Sequence, residues 1–229
     1  MIDYYANPTV QRVIDVMLAG KLGFISTPAQ GNKRPPGVRW CADNGCYGKG
    51  YPGDVAWFGW LESQMADAGS CAFATAPDAV GDATATLARS GPWLSRVRSL
   101  GYPVALVAQD GLESLPVPWD DFDVLFIGGT TTWKLGSGPR SLVQVAAARG
   151  MPVHMGRVNS LRRLRYAVDI GCTSADGTYL TFGPDTNLPK LLRWLEKENS
   201  RLFGASPPLN HHQPTKATSG WPFVYQENP

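Results

Sequence analysis

The sequence lacks most of the features that mark specialised protein classes. Its four cysteines, Cys41, Cys46, Cys71 and Cys172, include no C-x-x-C pair, which argues against a disulfide scaffold or a zinc knuckle. No secretory leader is recognisable, so a reducing, cytoplasmic setting is expected. No uninterrupted apolar run approaches the roughly 20 residues that a membrane span needs, and no membrane partner is expected. No G-x-G-x-x-G follows an apolar run, so the dinucleotide fingerprint is missing, and no repeat of solenoid length occurs. Charge is sparse at 17% of residues with a net of +2, too mild a sum to identify a nucleic-acid binder by itself.

What is present is alternation. With 229 residues and 43% hydrophobic composition, the chain can bury one sizeable core, and a second full domain is not expected. Short apolar runs at 4–6, 22–27, 38–42, 72–76, 104–108, 124–127, 152–155 and 171–175 read as strands. Between them lie helical patterns: 8–22 with Val10, Val13, Val16, Met17 and Leu18 inward, and 51–69 with Val55, Phe58, Leu61, Met65 and Ala68 inward. Further helices are expected from an Asp82 cap to Leu100, interrupted at Gly91-Pro92, and over 141–149 and 160–169. Eight strands alternating with helices predict a parallel α/β sheet closed into a single irregular (β/α)8 TIM-like barrel, with an open doubly wound sheet as the alternative. An amphipathic helix over 188–202 closes the wall, which bounds the barrel at residues 1–203. Residues 204–229, rich in Pro, Ser, Thr and Asn, read as a loosely ordered tail carrying His211 and His212, a pair without neighbouring metal ligands.

Polar residues gather where the strands stop: Asp43 with Asn44, Asp78, Gln109 with Asp110, Gly128 with Gly129, Arg157 with Asn159, and Asp176. In parallel barrels these strand ends form the active face. Carboxylates and amides read the edge of a purine-like base, and glycines let backbone N–H groups approach it. Two carboxylates, Asp43 and Asp176, can share glycosyl chemistry, one attacking the anomeric carbon and one moving protons. Taken singly, Asp43-Asn44-Gly45 and Asp176-Gly177 are also good turn sequences, and Asp78 can simply cap a helix.

At these residues the chain resembles the tRNA-guanine transglycosylase superfamily, and within it the small phage and bacterial relatives that place 7-deazaguanines into DNA, the DpdA family. The family's D-S-G-G-F-Q is echoed by residues 43–48, its V-Q-G-G by 107–111, its I-G-G by 127–129, and its M-G-V-G, helix and G-V-D-M-F-D by 155–158 and 171–176. The echoes occur in the family's order across most of residues 20–200. The resemblance implies Asp176 as nucleophile, Asp43 as the proton-transfer carboxylate, and Asn44, Asp78, Gln109, Gly128 and Gly129 around the base. It implies no cofactor, and DNA with a flipped guanine plus a free preQ0-like base as partners, in a bacterial host's cytoplasm if the gene is phage-borne.

The family's zinc-binding C-x-C-x-x-C is absent, because no cysteine follows Cys172, and no metal is expected. The family's P-T-R after the nucleophile is replaced by Gly177-Thr178-Tyr179, which favours DNA over tRNA. Phosphate contacts are expected from Lys33, Arg34, Lys49, Lys134, Arg157 and the cluster Arg162, Arg163 and Arg165, although the cluster reads equally as a solvated helix face. Tyr47, Tyr51 and Trp133 can stack on bases or serve in packing. The competing functions are a tRNA enzyme, a DNA glycosylase or nucleoside hydrolase on the same barrel, and a catalytically silent DNA-binding barrel.

Overall fold

The computed structural model describes residues 1–7 and 10–204; residues 205–229 of the expected tail, His211 and His212 among them, lie outside the described residues. Eight parallel strands close into a barrel in sequence order: β1 (Asp3–Ala6), β2 (Gly23–Ser26), β3 (Trp40–Ala42), β4 (Cys71–Thr75), β5 (Val104–Ala108), β6 (Val124–Ile127), β7 (Val153–Met155) and β8 (Ser174–Asp176). Closure is made by β1 pairing with β8, Tyr5 lying opposite Asp176. The helices are α1 (Gln11–Leu18), α2 (Asp54–Ser63), α3 (Ala83–Ser99), α4 (Thr131–Lys134), α5 (Gly138–Ala148), α6 (Leu161–Ile170) and α7 (Pro184–Gly204). Among the described residues no helix is long and apolar enough to cross a membrane.

Period-two alternation sorts the strand residues into two layers. Tyr5, Cys41, Phe73, Ala105, Val107, Val124 and Phe126 face the lumen and plug it, while Trp40, Ala42, Ala74, Leu106, Leu125 and Ile127 face the helices. Edge-on ring contacts of Phe73 with Tyr5 at 6.3 Å and with Phe126 at 6.1 Å fix this plug. Each such ring, fully buried, contributes on the order of 1.5–3 kcal/mol. The plug also gives the site above it a rigid floor.

Several elements differ in extent from the sequence reading. The expected helix 8–22 ends at Leu18, because Gly20 turns with φ +73°, and Leu18 itself is exposed. The helix expected over 51–69 is α2 followed by a 3₁₀ turn, Met65–Ser70. Its inner face is Trp57, Phe58 and Leu61, and Val55 and Met65 point to solvent. The Gly91-Pro92 break does not occur, and α3 runs through it. Trp93, packed against Trp57 at 5.7 Å and Phe58 at 5.4 Å, and the buried Leu94 and Val97 anchor the helix beyond the proline. That burial outweighs the loss of one backbone hydrogen bond. The Asp82 cap is present, accepting from the Ala85 N–H at 2.9 Å. At the eighth strand, Gly171 is the left-handed cap of α6 with φ +105°, so β8 starts only at Ser174 and contains Asp176.

Candidate active site

The same alternation that builds the plug builds the cavity above it. Moving two residues along each strand from the plug layer gives Asn7, Thr27, Asp43, Thr75, Gln109, Gly128, Gly156 and Asp176. All eight line one cavity of about 300 Å³ at the C-terminal mouth. Outside β7 and β8, where His154 and Ser174 already occupy the lower layer, the barrel interior thus changes from apolar to polar within a single step of the strand period.

On one side stands Asp176. Its Oδ1 accepts the Arg157 N–H at 2.9 Å, and its Oδ2 lies 3.0 Å from His154 Nε2. Arg157 adopts φ +61°, a left-handed conformation that is uncommon for a side-chain-bearing residue. His154 is fully buried, held at Nδ1 by Ser174 Oγ at 2.9 Å and enclosed by the rings of Phe126 at 4.6 Å and Phe73 at 4.9 Å. Burial alone pushes the Asp176 carboxyl up, but the His154 hydrogen bond and charge, the Arg157 N–H and the Lys134 charge together hold it below the usual carboxylate range. Asp176 is therefore an anion kept in a largely dry place.

On the other side are Asp43 and Asp78. Asp43 is half-buried just past β3, its backbone N–H continuing the ladder to Ser26 O at 2.8 Å. Burial and the charges of Asp176 and Asp78 push its carboxyl up to about 7, against the N–H groups of Gly45 and Asn44. Asp78 is buried in the β4–α3 loop, where Asn44 donates to its Oδ1 at 2.8 Å and Gln109 donates to its Oδ2. Burial raises its carboxyl as well, despite those donors. Gln109 Oε1 in turn accepts the N–H groups of Gly81 at 2.8 Å and Gly129 at 2.9 Å. The second Asn44 amide hydrogen goes to Ala76 O at 2.7 Å, and its Oδ1 accepts the Cys46 N–H at 2.7 Å.

Asn44, Gln109 and Gly129, expected to read a base directly, are thus largely occupied with one another and with Asp78. Gly128 lines the cavity because a Cβ there would stand 2.6 Å from Val107, so only glycine leaves the space. The buried Thr75 Oγ1 lacks a hydrogen-bond partner in the cavity wall, a polar atom left for a ligand.

The expected cations separate. Lys33, Lys49 and Arg162 are exposed. Arg157 lines the cavity, donates to Gly129 O and stacks 4.4 Å from the centroid of the exposed Tyr47 ring. Arg163 bonds Arg157 O at 3.1 Å, holding the turn that presents the Arg157 N–H. The other three have partners within the protein. Arg34 pairs with Asp67 and stacks on Trp40, beside the starts of β3 and β4 and away from the cavity. Arg165 pairs with the buried Glu198 at 2.9 Å and fastens α6 to α7. Lys134 is buried, donating to Gly156 O at 2.5 Å.

Tyr51 and Trp133 serve packing, bonded to Asp54 at 2.7 Å and Glu113 at 2.9 Å. His154 escaped the sequence reading because it lies inside an apolar run; its place two residues before Gly156 on the lumenal side of β7 was the available signal. The helix α4, which carries Lys134, also went unread, being a single turn capped by Thr130. Among the described residues no group of three or more His, Cys, Asp or Glu side chains is gathered to hold a metal.

No protein-family model matches the chain, and no curated protein matches it. Among solved structures, the fold is similar to that of the Amycolatopsis orientalis BexX/CysO complex, at 14% identity over 91% of this chain and 93% of that one, with a TM-score of 0.59. It is also similar to phosphoribosyl anthranilate isomerase from Thermus thermophilus, at 15% identity over 88% of this chain and 100% of that one, with a TM-score of 0.51. At such identities the likeness concerns the fold: the chain is a closed (β/α)8 barrel, an architecture it shares with an isomerase among other proteins.

Proposed function

We propose that the chain is a base-exchange transglycosylase that replaces guanine in DNA with a 7-deazaguanine through a glycosyl-Asp176 intermediate. The observation that carries this reading is the opposite tuning of two carboxylates in one cavity: Asp176 held ionised, Asp43 raised to about 7. Pairs of titratable groups pushed apart by their surroundings are what acid–base and nucleophilic roles require.

In the first half-reaction an Asp176 oxygen attacks C1′, the C1′–N9 bond breaks, and guanine leaves with the proton of Asp43. In the second, the incoming base gives its N9 proton to the Asp43 carboxylate and attacks C1′, and the C1′–O bond to Asp176 breaks. Two displacements retain configuration and need no redox cofactor. Asp78 and Thr75 are the polar groups left to meet the base, with Asn44, Gln109 and Gly129 holding Asp78 in place. The exposed Lys33, Lys49 and Arg162, with Arg157 at the cavity, are suited to phosphates. The order of the motif echoes supports guanine and its 7-deaza analogues as the bases, and the lost P-T-R supports DNA as the polymer.

The test is incubation of guanine-containing DNA with isotope-labelled preQ0, followed by nucleoside mass spectrometry. The reading expects labelled modified deoxyguanosine and released guanine in equal amounts, neither appearing with Asp176→Asn. Guanine release without incorporation would instead identify a hydrolase, and no release from any nucleic acid would refute glycosyl chemistry.

A further inference from the structure

Lys134 is the cation that the phosphate-binding expectation accounts for least. A buried ammonium is costly and is usually matched by a carboxylate. Even the half-exposed Arg89, Arg165 and Arg201 have carboxylate partners, Asp54, Glu198 and Asp169. Lys134 does not: among the described residues no carboxylate lies within ion-pair distance of its Nζ, and its one hydrogen bond goes to the Gly156 carbonyl. It lines the same cavity as Asp176 and Asp43, carried there by α4 at the end of β6.

We propose that Lys134 is an imine-forming amine, which condenses with the aldehyde of a ring-opened sugar held in the cavity. This rests on the glycosyl-transfer reading for the origin of the sugar: water in place of the incoming base frees C1′ as a hemiacetal, whose open form is an aldehyde. The Nζ lone pair attacks C1′, and the carbonyl oxygen takes up the proton that the nitrogen loses. The carbinolamine hydroxyl then leaves as water with the Asp43 proton, forming the protonated imine C1′=NH⁺ and leaving Asp43 as the carboxylate. Addition of water reverses every step, so no oxidant or reductant is consumed.

Further features support it. Burial and the charges of Arg157 and Arg163 act against the protonated form, opposed by Asp176 and Cys172, and together bring the amine down to about 7. Near neutral pH a large share of Lys134 therefore keeps its lone pair, which an exposed lysine does not. Asp43, titrating in the same range, is available in both protonation states for the dehydration. Thr27, Thr178 and Thr181 on the cavity wall offer hydroxyl partners for a sugar.

The experiment is reductive trapping at pH 7.5 with sodium cyanoborohydride, followed by peptide mapping. One arm uses glycolaldehyde and the other an oligonucleotide containing a single base-free deoxyribose. The expected result is alkylation of Lys134 at least about tenfold above that of the exposed Lys33 and Lys49, which do not line the cavity. Lys134→Met, checked for retained fold by circular dichroism, should lose this adduct and keep the background on the other lysines. Label on the exposed lysines with Lys134 unmodified in both arms would overturn the proposal. Trapping of glycolaldehyde with the oligonucleotide inert would uphold the imine at Lys134 and remove DNA as the source of the sugar.

Discussion

Asp176 and Asp43 hang from equivalent lumenal positions at the ends of β8 and β3, yet their surroundings treat them in opposite ways. Asp176 receives a donor at each oxygen, from His154 and from the Arg157 backbone, with Lys134 near. Asp43 shares its region with two other carboxylates and is aided only by backbone N–H groups. The comparison shows that strand-end position supplies reach, whereas the neighbouring strand decides protonation. β7 contributes a buried histidine beside Asp176, and no histidine among the described residues stands beside Asp43.

Each carboxylate and its neighbours can be altered separately. Asp176→Asn removes the nucleophile with little change of shape, and base exchange should fall by on the order of 10⁴ or more in steady-state assays. Asp43→Asn should lower exchange by about 10²–10⁴ and remove the inflection near pH 7 from the rate profile. The same change has an opposite effect on stability. A carboxyl raised in the folded state binds its proton more tightly there than in the unfolded chain, so folding weakens as pH rises from the ordinary value of 3.8 towards 7. Asp43→Asn should therefore stabilise the protein by on the order of 1–3 kcal/mol at pH 8 and have little effect near pH 3, as read by denaturant unfolding.

His154→Phe keeps the ring volume and removes the donor to Asp176. Exchange should drop by about 10–100-fold, and the acid limb of the profile should move to higher pH, a shift that mere loosening of the core would not cause. Lys49→Ser or Arg162→Ser should change affinity for DNA only a few-fold and reduce its salt dependence, leaving the rate at saturation unchanged.

Much of this frame was legible in the sequence because period-two alternation is a local property. The runs 104–108 and 124–127 coincide with β5 and β6, and the eight lumenal strand-end residues continue the count from the plug. The partners of those residues were not legible. Asp78, Asn44, Gln109 and Gly129 are 20 to 34 positions apart along the chain in each bonded pair, and only barrel closure makes their hydrogen bonds. The burial of Lys134 follows from a one-turn helix, too short to leave a periodic signal. The inward face of α2 was misjudged because Trp57, not Val55, lies over the core, and hydrophobic residues stand all round that helix. His154 went unread because an apolar context hides a polar residue whose partners come from β8.

Opposite tuning of the two carboxylates by their neighbours can be read directly in a carbon-13 titration of the aspartate carboxyl groups, assigned through Asp176→Asn and Asp43→Asn. The account expects Asp176 to remain ionised until below the ordinary aspartate range and Asp43 to titrate near 7. It also expects the Asp43 midpoint to fall in the Asp176→Asn protein, where the neighbouring charge is gone. Two ordinary titrations near 4, or the reverse order, would contradict the assignment of nucleophile and proton carrier.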